Sequence, residues 1–176
     1  MAHLRARTAH AHARVDATFG SYDLTNPALY ADMLVAHARA LPTAESLVVD
    51  DRDGPPLRLR TPLLAADLTM LGCSMPEPIP FAASILGGGR WGVRYVIEGS
   101  RLGGGVLATR VSIGLPTAYL SDRHEAGEWR SFGAVFDAEA ARHPASWLSE
   151  AVVGAEACFD LYGRAAGYGS SSLITP

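Results

Sequence analysis

Three groups of residues in this chain have types and spacings suited to chemistry. They are histidines near the start, a glycine run flanked by a tyrosine and a serine in the middle, and isolated arginines able to hold an anion. His10 and His12 are two residues apart, so on a helix their rings point about 160° from each other and only one can face a core. Leu4, Thr8, Ala11, Val15 and Phe19 recur at steps of three and four and mark the buried stripe of such a helix. His12 falls on the border of that stripe, while His10 points to solvent. A neutral imidazole on an apolar border is a competent iron ligand, although most residues in that position only close the edge of a core. Arg5 lies two turns before His12 on the same edge, where its guanidinium can pair with a carboxylate of the same ligand.

The second group is Tyr95-Val96-Ile97-Glu98-Gly99-Ser100-Arg101-Leu102-Gly103-Gly104-Gly105-Val106-Leu107. Each glycine inside a helix costs about 1 kcal/mol relative to alanine, so this density needs a compensating gain. On a helical projection Tyr95, Gly99, Leu102, Gly103 and Val106 share one face, and Gly99 and Gly103 leave a strip of bare backbone one turn long. That strip admits either a flat ligand or a closely packed second helix, and it allows the helix to kink. Tyr95 one turn ahead and the Ser100 hydroxyl beside it favour the ligand. Upstream, Gly87-Gly88-Gly89-Arg90-Trp91-Gly92 fits the G-x-G-x-x-G template of dinucleotide sites. It lacks the preceding strand and the later acidic residue that the template requires, and reads as a loop or helix start.

The elements that must position these residues are helical. The first helix covers about residues 2–19. Asn26-Pro27 reads as an N-cap followed by proline at the first helical position, opening a second helix to about Leu41 with Leu29, Met33, Leu34, His37 and Leu41 on its apolar face. Residues 42–57 read as a connection; Asp51-x-Asp53-Gly54 within it lacks the other ligands of a calcium loop. A third helix is expected over about 58–71, then a proline-rich break over 75–80, a glycine-rich apolar helix within 81–111, and two more helices over about 127–142 and 145–167. With no alternating strands and no βαβ rhythm, the fold class is all-α. One domain over 1–166 is expected, with 167–176 as a disordered tail.

Bulk properties narrow the function. The 176 residues carry a net charge of −3, and all fifteen basic residues are arginine with no basic run, which argues against nucleic acid. Cys73 and Cys158 form neither a C-x-x-C nor a zinc spacing and read as thiols in a reducing cytoplasm. The N-terminus is too polar for a signal peptide, and no stretch is long and apolar enough for a membrane span.

Together the two segments resemble the haem oxygenase family, in particular its bacterial branch that includes enzymes associated with bacteriophytochromes. The family's N-terminal pattern L-[RK]-x-x-T-x-x-x-H-x-x-x-[ED] is met by Leu4, Arg5, Thr8, His12 and Asp16. The match selects His12 over His10, in agreement with the helical geometry. The distal pattern Y-V-x-E-G-S-x-L-G-G is met from Tyr95 to Gly104, and Trp129 and Phe132 match a weaker W-x-x-F pairing. The resemblance extends over nearly the whole chain in order and length.

What it implies is a helical bundle with haem between the first helix and a kinked distal helix. His12 would be the proximal iron ligand, and Gly99, Ser100 and Gly103 would form the distal catalytic surface. Arg5, Tyr95 and Arg130 would lie near the propionates. Arg94, where an apolar residue is more usual, would be either a propionate contact or exposed. Many members carry an aspartate near the first distal glycine; Ser100 stands there in this branch. The implied reaction takes haem, oxygen and electrons to biliverdin, iron and carbon monoxide, with protons relayed by water past a distal wall of backbone. Electrons would come from an external donor such as a ferredoxin or a reductase, and a bacteriophytochrome is an expected recipient of biliverdin. Two other readings stay open: a non-catalytic haem sensor or scavenger on this fold, and a di-iron oxidase. Neither Glu139/His143 nor His124/Glu125 has the Glu-x-x-His spacing of a di-iron site.

Overall fold

The computed structural model describes residues 1–50, 54–85 and 87–167. These form seven helices and no strand: α1 (Ala2–Gly20), α2 (Pro27–Ser46), α3 (Thr61–Met70), α4 (Gly88–Ala108), α5 (Ala118–Ser121), α6 (Glu128–Ala140) and α7 (Ala145–Gly167). The all-α expectation therefore holds. Residues 168–176 and the Asp51-x-Asp53 pair lie outside the described residues. No described helix is long and apolar enough to cross a membrane.

The long helix α7 is the scaffold. It buries Trp147, Ala151, Val152, Ala155, Cys158, Phe159, Leu161 and Tyr162, and α4, α1 and α2 all pack on it. The glycines at the start of α4 explain how closely α4 and α7 approach. A Cβ at Gly92 would collide with the Ala151 carbonyl and stand 2.7 Å from the Ala155 nitrogen; one at Gly88 would strike the Trp147 carbonyl. Reciprocally, a Cβ at Gly154 would strike Gly89. The Gly87–Gly92 run is thus a helix start whose missing side chains let two backbones touch.

α1 buries Leu4, Thr8, Ala11 and Phe19, with Val15 half-buried beside them, as its period requires. It packs on α7 and has little contact with α4. The two helices that carry the chemistry therefore share a support and leave a gap between them.

Several expectations need correction. α2 does not stop at Leu41 but runs through Pro42 to Ser46, because Leu41, Ala44 and Glu45 continue its buried face. The proline-rich segment docks across this turn: Ile79 N–H donates to the Arg39 carbonyl (2.9 Å), and the Thr43 hydroxyl donates to the Ile79 carbonyl (2.8 Å). Leu29 is largely exposed and Tyr30 takes its place in the core. The unforeseen short α5 is held by Asp67 of α3, whose carboxylate accepts from the Ala118 and Tyr119 amides at 3.0 and 2.9 Å. Arg94 is neither exposed nor at the cavity described next. Its side chain is buried, and its guanidinium donates to the Pro55 carbonyl. Cys158 is buried and Cys73 half-buried, both as free thiols.

Candidate functional site

The gap between α1 and α4 is a cavity of about 900 Å³, open on one side. α1 lines one wall with Arg5, Ala6, Ala9, His12 and Phe19, and α4 lines the opposite wall with Tyr95, Gly99, Ser100, Leu102, Gly103 and Val106. Ala6 and Ala9 on one wall and Gly99 and Gly103 on the other leave a slot between larger side chains, suited to a flat, largely apolar molecule.

His12 lies in the mouth of this slot with its side chain half exposed. Its Nδ1 is 3.0 Å from the Asp16 carboxylate one turn on. A neutral imidazole that donates Nδ1–H to a carboxylate leaves the Nε2 lone pair free as a metal ligand. The ring stands edge-on to Phe159 of α7 at 5.5 Å, which restricts its rotation.

The opposite wall decides between the two readings of the central glycine strip. A Cβ at Gly103 would meet nothing within 4 Å, and one at Gly99 would meet only the edge of Trp129, at 3.6 Å. Both positions face the cavity, whereas Gly88 and Gly92 at the start of the same helix pack on α7 and Gly104 packs against Leu120 of α5. The strip at Gly99 and Gly103 therefore opens onto space that a ligand can occupy.

At one end of the slot are Arg5 and Tyr95. Burial pushes the Tyr95 hydroxyl pKa up, opposed by a side-chain hydrogen bond with Thr8 and by the charge of Arg5. Trp129 of α6 lines the cavity there, with its ring 5.9 Å from that of Tyr95. Arg130, its neighbour, is exposed and does not line the cavity. α6 turns Trp129 inward, which leaves the next residue facing away.

Ser100 reaches the cavity, but its hydroxyl is already engaged. It donates to the Ile97 carbonyl at 2.7 Å and accepts from the Arg60 guanidinium. Arg60, which immediately precedes α3, is fully buried; it also donates to the Ile97 carbonyl (3.0 Å), and its guanidinium lies 5.0 Å from the centre of the Tyr119 ring.

Arg60, Tyr119, Tyr162 and His37 complete the closed end of the cavity. Sequence reading placed His37 on the apolar face of its helix and assigned it no role at the site. Burial, aided by the charge of Arg60, pushes its pKa down to about 3, so the ring is neutral at physiological pH. The available signal was a histidine recurring with leucines at helical spacing; the partners that make it notable come from α1, α5 and α7. Among the described residues, no three His, Cys, Asp or Glu side chains converge as a metal-binding group.

Comparison with known proteins gives one informative relative. The chain is 38% identical over 142 residues to a protein of Xanthomonas campestris pv. campestris (strain 8004) named "Heme oxygenase", an alignment covering 74% of this chain and 84% of the relative. No protein-family model matches the chain, and no solved structure matches it significantly.

Proposed function

The chain belongs to the haem oxygenase family, and from that premise we propose that it degrades haem with oxygen and electrons to biliverdin, iron and carbon monoxide. The observation that carries this reading is the slot itself. A histidine with a carboxylate on its Nδ1 faces, across an apolar gap, a helix stripped of side chains at Gly99 and Gly103. A haem fits these residues. When bound, it supplies the iron at which oxygen is activated and the ring that is consumed.

His12 would hold the iron through Nε2, with Asp16 fixing the tautomer and the orientation of the ring. Gly99 and Gly103 would present bare backbone to the haem on that wall, leaving room beside it for oxygen. Arg5, beside Tyr95, is suited to pair with a propionate. Arg130 would serve that role only for the part of a ligand that projects from the mouth, since it faces solvent. Ser100 buttresses the wall by joining Arg60 to the Ile97 carbonyl, and its proton is not free for delivery. Phe19, Phe159 and the aliphatic wall keep bulk water from the closed end.

Electrons would come from an external donor such as a ferredoxin or a reductase. The setting would be the cytoplasm, with a bacteriophytochrome as a recipient of the product.

The test is haemin titration of wild type and His12→Ala, followed by reductant in air. Wild type is expected to give a stoichiometric Soret band that bleaches as a broad red band of biliverdin grows. In His12→Ala the Soret band should shift or vanish. A stable complex that never bleaches with any competent reductant would favour a haem sensor or scavenger. No haem binding at all would end the haem reading.

A further inference from the structure

The closed end of the cavity holds polar atoms that the helix-strip geometry does not use. His37 on α2 is ringed by Phe19 of α1 (4.3 Å between ring centres), Tyr119 of α5 (5.4 Å) and Tyr162 of α7 (5.5 Å). Its Nδ1 is 2.7 Å from the Tyr119 hydroxyl. Its Nε2, the Tyr162 hydroxyl and Arg60 Nε are all buried with no hydrogen-bond partner in the protein. Buried polar atoms are almost always paired, so three of them on residues that line one cavity mark a place where an occupant or its ordered water would complete the bonding.

The protonation state follows from the partners. The Tyr119 hydroxyl has no other acceptor among the described residues, so its proton goes to His37 Nδ1. The single ring proton then sits on Nε2. Burial first, and the charge of Arg60 second, leave the imidazole neutral; the titratable groups whose rings face it are Tyr119 and Tyr162, whose own burial keeps them protonated.

We propose that His37 is a positioning residue that donates Nε2–H, directly or through ordered water, to the ligand held beneath Gly99 and Gly103. This rests on the haem reading above. With the Ser100 proton engaged by Ile97, the closed end needs another donor. His37 meets that need as a fixed hydrogen-bond donor, not as a source of protons, because it carries no second proton to release. Tyr119 sets its tautomer, and Tyr162 offers the next oxygen for a shared water.

Two measurements test this, the first without haem. Long-range proton–nitrogen NMR of the ligand-free protein should show His37 neutral with its proton on Nε2 down to pH 5. A ring protonated on Nδ1 alone, or charged at pH 6, would overturn the proposal.

The second measurement is the acid–alkaline transition of the ferric haem complex, read from its visible spectrum. A donor stabilises the deprotonated ligand, so His37→Phe should raise the midpoint by about one unit, a tenfold change. His37→Gln, whose amide keeps an N–H near the Nε2 position, should restore it. If His37→Phe fails to fold, Tyr119→Phe replaces it and should shift the midpoint the same way by releasing the tautomer. Equal midpoints in every variant that binds haem would refute the role of His37. Failure of wild type to bind haem would instead sink the haem reading, leaving the NMR result to judge the tautomer.

Discussion

Asp16 governs how His12 is presented, and it does so across a pair in which both side chains are more than half exposed. Solvent screens such a pair, so its direct contribution to folding is small. Its contribution to ligation is orientation and choice of tautomer, and loss of such partners of metal-bound histidines costs about 10–100-fold in affinity. Exposure places this pair at the lower end. Asp16→Ala should therefore weaken haem binding by about tenfold with unchanged thermal stability, as read by Soret titration and a melting curve. Wild-type affinity in that variant would mean that packing on Phe159 alone orients the ring. On the facing wall, Gly103 has open space where a Cβ would stand. Gly103→Ala should stabilise the ligand-free protein by about 0.5–1 kcal/mol in urea denaturation, through helix propensity alone. Its haem affinity should fall, since the methyl group enters the slot. A loss of stability would show that the bare strip supports the fold after all.

Helix α4 combines two uses of glycine in one element, and the two are separable. Toward its start, Gly88 and Gly92 let the backbone of α7 approach; about two and three turns after Gly92, Gly99 and Gly103 let a ligand approach. Gly92→Ala should cost about 3 kcal/mol or more, since its Cβ meets backbone atoms that cannot move aside alone, in contrast to the gain expected at Gly103. Equilibrium denaturation of the two variants side by side tests the division; equal effects would contradict it. Periodicity was enough to reveal the stripe of α1, the extent of α7 and the face shared by Tyr95, Gly99 and Gly103, because each is a local pattern along one helix. It could not tell the packing glycines from the ligand-facing ones, since both satisfy the same spacing and only the neighbouring helix distinguishes them. Pro42 read as a stop because a proline removes one backbone bond, yet burial of Leu41, Ala44 and Glu45 carries α2 past it. Arginine is rarely buried, yet Arg60, which drew no reading, and Arg94, expected at a propionate or exposed, are both fully buried. Their partners are carbonyls and a hydroxyl far away in sequence, which no local pattern announces.

At the scale of the molecule, α7 supports both walls of the slot while α1 and α4 barely touch, so the closed end is where distant segments must meet. α1, α2, α5, α7 and the residue before α3 converge there on His37. This arrangement makes the stability of the whole fold sensitive to acid. In the unfolded chain His37 takes up a proton near pH 6.5, whereas in the folded protein burial and Arg60 delay that uptake to about pH 3. The unfolded state therefore binds more protons throughout that window, and stability falls as the pH is lowered through it. One proton corresponds to a slope of about 1.4 kcal/mol per pH unit at most. Urea denaturation of wild type between pH 7 and pH 5 should show a loss approaching that slope below pH 6.5, before the carboxylates titrate. His37→Gln cannot take up the proton in either state, so its curve should be flatter over the same range. Parallel curves for the two proteins would mean that the closed end opens enough to protonate His37 without unfolding. The cavity would then be a breathing pocket and could not hold a fixed donor.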